Sequence, residues 1–180
     1  ERMNGEFPRT TVAGMSISRM IAGTNWILGY SHTSPAADAL IRGRNTNREA
    51  VAEILETFVA GGINTVLGLF HGNDAFIDGI KLAEDRTGQE IIRIDTPIVN
   101  VDDTAEARRE ADRQIAQSAA YGAHFCFPHH SSTEQLVNKN LRAIPRLPDY
   151  LEMIRSHGMI PGLSAHMPEL VVYSDANEYD

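Results

Sequence analysis

Histidine and carboxylate side chains are the groups in this sequence whose types and places could do chemistry near neutral pH. Seven histidines occur, and four of them lie within three residues of the ends of short apolar, β-rich runs. His71 follows the run 63–70, His129 and His130 follow 123–127, and His166 follows 159–163, while Asp95 ends the run 90–95. Parallel strands point their carboxyl ends to one side of a sheet, neighbours lie about 4.8 Å apart, and the loops at those ends carry the active site. Imidazole titrates near neutrality, so it can give and take protons, and in its neutral form it also ligates divalent metals. His129, His130 and Asp95 are therefore the candidate acid-base residues. His71, His129 and His166 are the candidate ligands for a divalent metal such as zinc or manganese. Asn25 and Trp26, after the first run, and Ser164 and Glu169, after the fifth, are the candidate substrate contacts. There is no His-Glu-x-x-His and no cysteine-histidine zinc spacing, so the metal reading rests on the cluster alone.

Plainer readings compete with each of these. A loop histidine is often solvated or bonded to a backbone carbonyl, and Asp95-Thr96-Pro97 is also ordinary turn chemistry. His129 and His130 are sequential, so only one can point inward if the strand extends that far, although Pro128 can end the alternation. His124 opens its strand and reads as structural. His157 falls in the last turn of a helix, where a cation suits the dipole. Cys126, the only cysteine, reads as a small buried hydrophobe. Glu169 in Met167-Pro168-Glu169 fits a helix start as well as a base.

The elements that must position these residues alternate between β-rich runs and stretches of helical period, the pattern of βα units around a parallel sheet. The first strand is expected over 18–27, leading to a long polar loop over 29–45. Thr46 followed by Glu49 reads as a capping box for a helix whose apolar face is Val51, Ile54, Leu55, Phe58 and Val59, stopped at Gly61-Gly62. After the second strand, Phe76, Ile77, Ile80 and Leu82 predict a short helix closing at Gly88. Thr104 caps a third helix running to Gly122. A polar loop over 131–140 precedes a fourth, with Pro148 in its first turn.

Strand starts near Ser18, Ile63, Glu90, Ala123 and Met159 average about 35 residues apart, the scale of a unit in a (β/α)8 barrel. Such a barrel takes about 250 residues. The fold expected is thus α/β, a TIM-like parallel barrel represented by its N-terminal five βα units. Residues 1–17 form an N-terminal extension and 18–180 the partial barrel. An open Rossmann-like sheet also fits five strands, but no Gly-x-Gly-x-x-Gly follows the first. Two strand edges would then be covered by an absent barrel half or by another chain.

Composition narrows the function classes. The 180 residues are 42% hydrophobic and 22% charged, enough for a folded core. Sixteen basic and 24 acidic side chains give a net charge of −8, which repels phosphate backbones, so the expected partner is a small-molecule substrate and not nucleic acid. No stretch approaches the roughly 20 apolar residues of a membrane span. One cysteine fits a reducing compartment, and a cytoplasmic location is expected.

The strand ends also resemble those of a family. Ser18-Arg19-Met20-Ile21-Ala22-Gly23-Thr24-Asn25-Trp26, and the join from Phe58 to Val66, are similar to the first strand and the helix-to-second-strand join of the aldo/keto reductases. The segment Ile160 to Leu170 resembles that family's Gly-x-Ser-Asn segment. The resemblance implies a barrel, NADPH as cofactor, and a catalytic Asp and Tyr after the second strand, Lys after the third and His after the fourth. Here only His129 matches. Neither Asp nor Tyr stands at 67–71, Pro97 takes the place of the lysine, and Ser164 is followed by Ala165 in place of asparagine. Carbonyl reduction needs a proton donor with its pKa lowered by a neighbouring lysine. The resemblance therefore argues for the frame and against ordinary reductase chemistry. The leading expectation is an acid-base or metal-assisted enzyme acting on a small polar carbonyl or sugar-like substrate, by isomerisation, lyase cleavage or hydrolysis. An NADPH-dependent reductase and a catalytically silent barrel subunit are the alternatives.

Overall fold

The computed structural model describes residues 7–179 and shows an α/β chain in which helices alternate with five parallel strands. Two compact units divide it, Glu1–Arg93 and Ile94–Asp180.

The first unit opens on a hairpin, β1 (Arg9–Val12) and β2 (Met15–Ser18), turned by Ala13 and Gly14 at φ 47° and 81°. This hairpin occupies most of the expected extension 1–17, whose residues 1–6 lie outside the described residues. The strand expected over 18–27 shrinks to β3 (Ala22–Gly23), which pairs in parallel with β4 (Thr65–Gly68). The Ser18 hydroxyl donates to the Met20 carbonyl (2.6 Å) and bends the chain before β3. After it, α1 (Asn25–Leu28) coils and is stopped by Gly29 in the left-handed region. The expected loop 29–45 contains a helix, α2 (Pro35–Arg44). Its signals are Ser34, whose hydroxyl accepts from the Ala37 amide at 3.1 Å, and Pro35 in its first turn.

The next helix, α3 (Arg48–Ala60), is capped by Asn47 and not by the expected Thr46, because the Asn47 Oδ1 takes the Ala50 amide at 3.0 Å. Its apolar face, with Val51, Leu55 and Val59 buried, packs on α4 (Asp74–Thr87), which at 14 residues is not the short helix expected there. A Cβ at Gly79 would lie 2.6 Å from Val51 Cγ1, so glycine is what lets these two helices approach.

The boundary between units falls inside β5 (Ile92–Asp95). In the second unit β5 pairs with β6 (Phe125–Cys126), and β6 with β7 (Ile160–Pro161). Thr104 caps α5 (Ala105–Ala120) as expected, its hydroxyl accepting from Ala107 at 3.0 Å. The stretch 131–140 is not all loop. It begins with α6 (His130–Thr133), continues as a 3-10 turn over Glu134–Leu136, and leads to α7 (Leu147–Ser156). The last helix, α8 (Pro168–Ala176), starts at Met167-Pro168-Glu169. Ile115, Phe125, Cys126, Ile144, Leu147, Ile154 and Leu170 are buried in this unit's core.

Strand order is β3-β4-β5-β6-β7, all parallel, and no closed barrel forms among the described residues. No helix of the described residues is long and apolar enough to cross a membrane.

Candidate acid-base site

Beyond the carboxyl ends of β6 and β7, the second unit gathers three histidines and a glutamate. Pro128, which lacks the amide a ladder needs, ends β6, and His129 turns the chain into α6 with its own amide bonded to the Pro97 carbonyl at 2.9 Å. Strand alternation stops there, so His129 and His130 do not point to opposite faces. Their ring centroids lie 4.1 Å apart at 44°. His166, from the loop after β7, stacks on His130 at 3.7 Å and 28°.

His129 caps α6 with its side chain. Its Nδ1 accepts the Ser131 amide at 3.3 Å and lies 2.7 Å from the Ser131 hydroxyl. A main-chain N–H can only donate, so Nδ1 carries no proton and the Ser131 O–H must donate to it as well. The neutral ring therefore holds its proton on Nε2. Burial pushes the His129 imidazole below the ordinary histidine value of 6.5, and the charges His130 and His166 can carry push the same way. The ring is thus uncharged at neutral pH.

Glu134 follows His130 by four residues, on the same face of the α6 turn, and its Oε2 stands 3.7 Å from His130 Nδ1. Its Oε1 accepts the main-chain amides of His166 and Met167, the second at 2.8 Å. Burial pushes this carboxyl up, but the two amides and the adjacent imidazoles outweigh it and hold Glu134 below the usual carboxylate range. One carboxylate thereby ties the loop after β7 to the helix after β6.

The chain has no significant match among known proteins: no protein family, no curated protein and no solved structure resembles it closely enough to count. The site is therefore read from its own geometry.

Of the expected residues, His129, His130 and His166 come together. Asp95 is buried at the end of β5, where its carbonyl accepts the Phe127 amide at 2.8 Å. Ser164 lies between β7 and His166, and its carbonyl accepts the Thr133 hydroxyl at 3.0 Å. Glu169, in the first turn of α8, is bonded to Lys139 Nζ at 2.9 Å, which keeps its carboxyl below the usual range. Asn25, Trp26 and His71 belong to the first unit. Asn25 and Trp26 sit exposed on α1, with Asn25 Nδ2 3.0 Å from His32 Nε2. His71 is exposed in the turn after β4, its carbonyl accepting from Asn73 at 3.2 Å. No group of three or more histidine, cysteine or carboxylate side chains among the described residues is disposed to hold a metal ion.

The sequence pattern does not single out Glu134 and Ser131, because it predicts a polar loop over 131–140. The signal was present: His130 and Glu134 have the spacing of one helical turn, which carries meaning only once a helix is assigned there.

Proposed function

We propose that this chain is an acid-base enzyme acting on a small polar carbonyl or sugar-like compound, moving a proton at the carbon beside the carbonyl, as isomerisation and lyase cleavage require. The frame for this reading is the first five units of an aldo/keto-reductase-like barrel, with His129 at the position where that family carries its histidine. The observation that supports the chemistry is the protonation of His129: neutral, with Nδ1 occupied by Ser131 and the proton on Nε2. A neutral Nε2–H can donate to a carbonyl oxygen as negative charge develops on it. His166, 3.7 Å across the stack from His130, is a second imidazole able to take the carbon-bound proton.

The test is exchange in deuterium oxide. Dihydroxyacetone and glycolaldehyde, followed by proton NMR, are expected to lose signal at the carbon next to the carbonyl faster than in equimolar imidazole. His129→Gln should slow the exchange by about 100-fold or more, the usual size of a general acid-base contribution. Exchange no faster than imidazole, or unchanged in that variant, overturns the reading.

A further inference from the structure

We infer that Ser131 is a nucleophile, with His129 as its base, able to accept an acyl group from a small ester or other activated acyl compound. This rests on the same neutral His129 but asks nothing of His166. Three observations carry it. The Ser131 Oγ lies 2.7 Å from Nδ1, the distance of a formed hydroxyl hydrogen bond. The Ser131 amide, also directed at Nδ1, fixes the direction of that bond, so the hydroxyl proton already points at its acceptor. Ser131 is exposed, whereas its neighbours Ser132 and Thr133 are buried and engaged, Ser132 Oγ accepting the Val99 amide and Thr133 Oγ1 donating to the Ser164 carbonyl. A capping contact alone would be complete with the amide; the hydroxyl adds an accessible oxygen paired with a base.

The step balances. Oγ bonds to the acyl carbon as its proton passes to His129 Nδ1, the bond from that carbon to the leaving oxygen breaks, and the alcohol departs with the proton. Water, deprotonated in turn by His129, then cleaves the acyl-serine, releasing the carboxylic acid and restoring the hydroxyl.

Diisopropyl fluorophosphate probes this directly, since attack by Oγ expels fluoride and leaves a stable phosphoryl serine. The full chain, treated and digested, is expected to carry the adduct on the Ser131 peptide and none on that of the exposed Ser156. Ser131→Ala should lose the adduct, and His129→Gln should form it about 100-fold more slowly. Circular dichroism of both variants establishes that they fold. No adduct on Ser131, or an equal rate in folded His129→Gln, overturns the inference. Labelling and deuterium exchange are read separately: labelling without exchange supports the nucleophile and sinks the proton-transfer reading, and exchange without labelling does the reverse.

Discussion

The His166 ring lies on the His130 ring with centroids 3.7 Å apart and planes 28° from parallel. One ring comes from the helix after β6 and the other from the loop after β7, two adjacent parallel strands. Neighbouring strands bring the two loops within reach of each other, but they do not set a ring-to-ring geometry. Glu134 does that, because its two oxygens reach a different partner each: the loop amides of His166 and Met167 on one side and the His130 imidazole on the other.

Glu134→Ala should therefore loosen the loop carrying His166. Loss of hydrogen bonds to a charged acceptor costs about 2 kcal/mol. Urea unfolding at pH 7 checks the size. The pH dependence checks the cause. The folded carboxyl titrates below its ordinary 4.5, so its contribution is present above that value and disappears as pH falls through the folded value. The gap between the wild-type chain and the variant should close on acidification; a constant gap would point to packing alone.

His129 also loses its contribution on acidification, but because the folded chain disfavours the cation. Its folded value lies below 6.5, so the unfolded chain takes up the proton first. Stability is then lost as pH drops from 6.5 toward the folded value, and His129→Gln should flatten that part of the curve. In activity the same shift places the acid limb of the exchange rate below pH 6.5, because the neutral ring persists further into acid. An acid limb at or above 6.5 would contradict a neutral, partly buried His129.

Cys126 is fully buried, and burial together with the charge of Asp95 pushes its thiol up to about 12. Thiolate is the reactive form, so a disulfide reagent such as dithionitrobenzoate should leave native protein unmodified at pH 8 and react rapidly in denaturing urea. Prompt reaction of the folded chain would mean that β6 opens readily.

Long periodic segments were legible in the sequence and short ones were not. The apolar stripe of α3 and the cap of α5 at Thr104 could be read because many residues agree on them. The first strand could not, since Met20, Ile21 and Trp26 are apolar yet exposed, and a run of such residues mimics a buried strand. Histidines at the ends of β6 and β7 were found by chain position. Glu134 and Ser131 were not, because a single turn such as α6 has too few residues to show a period, and its geometry is set by one proline and one imidazole.

The cap of α3 turns that lesson into a measurement. Thr46 and Asn47 are adjacent, and either residue type can cap a helix. Glu49 three residues after Thr46 favours the first on pattern, whereas the Asn47 Oδ1 bond to the Ala50 amide at 3.0 Å selects the second. Asn47→Ala should cost about 1 kcal/mol, the usual loss for an N-cap, and Thr46→Ala a few tenths at most. Urea unfolding of the two variants separates them by midpoint. If Thr46→Ala proves the more damaging, the helix begins one residue earlier, and the register of α3 on α4, set where Val51 meets Gly79, would have to shift with it.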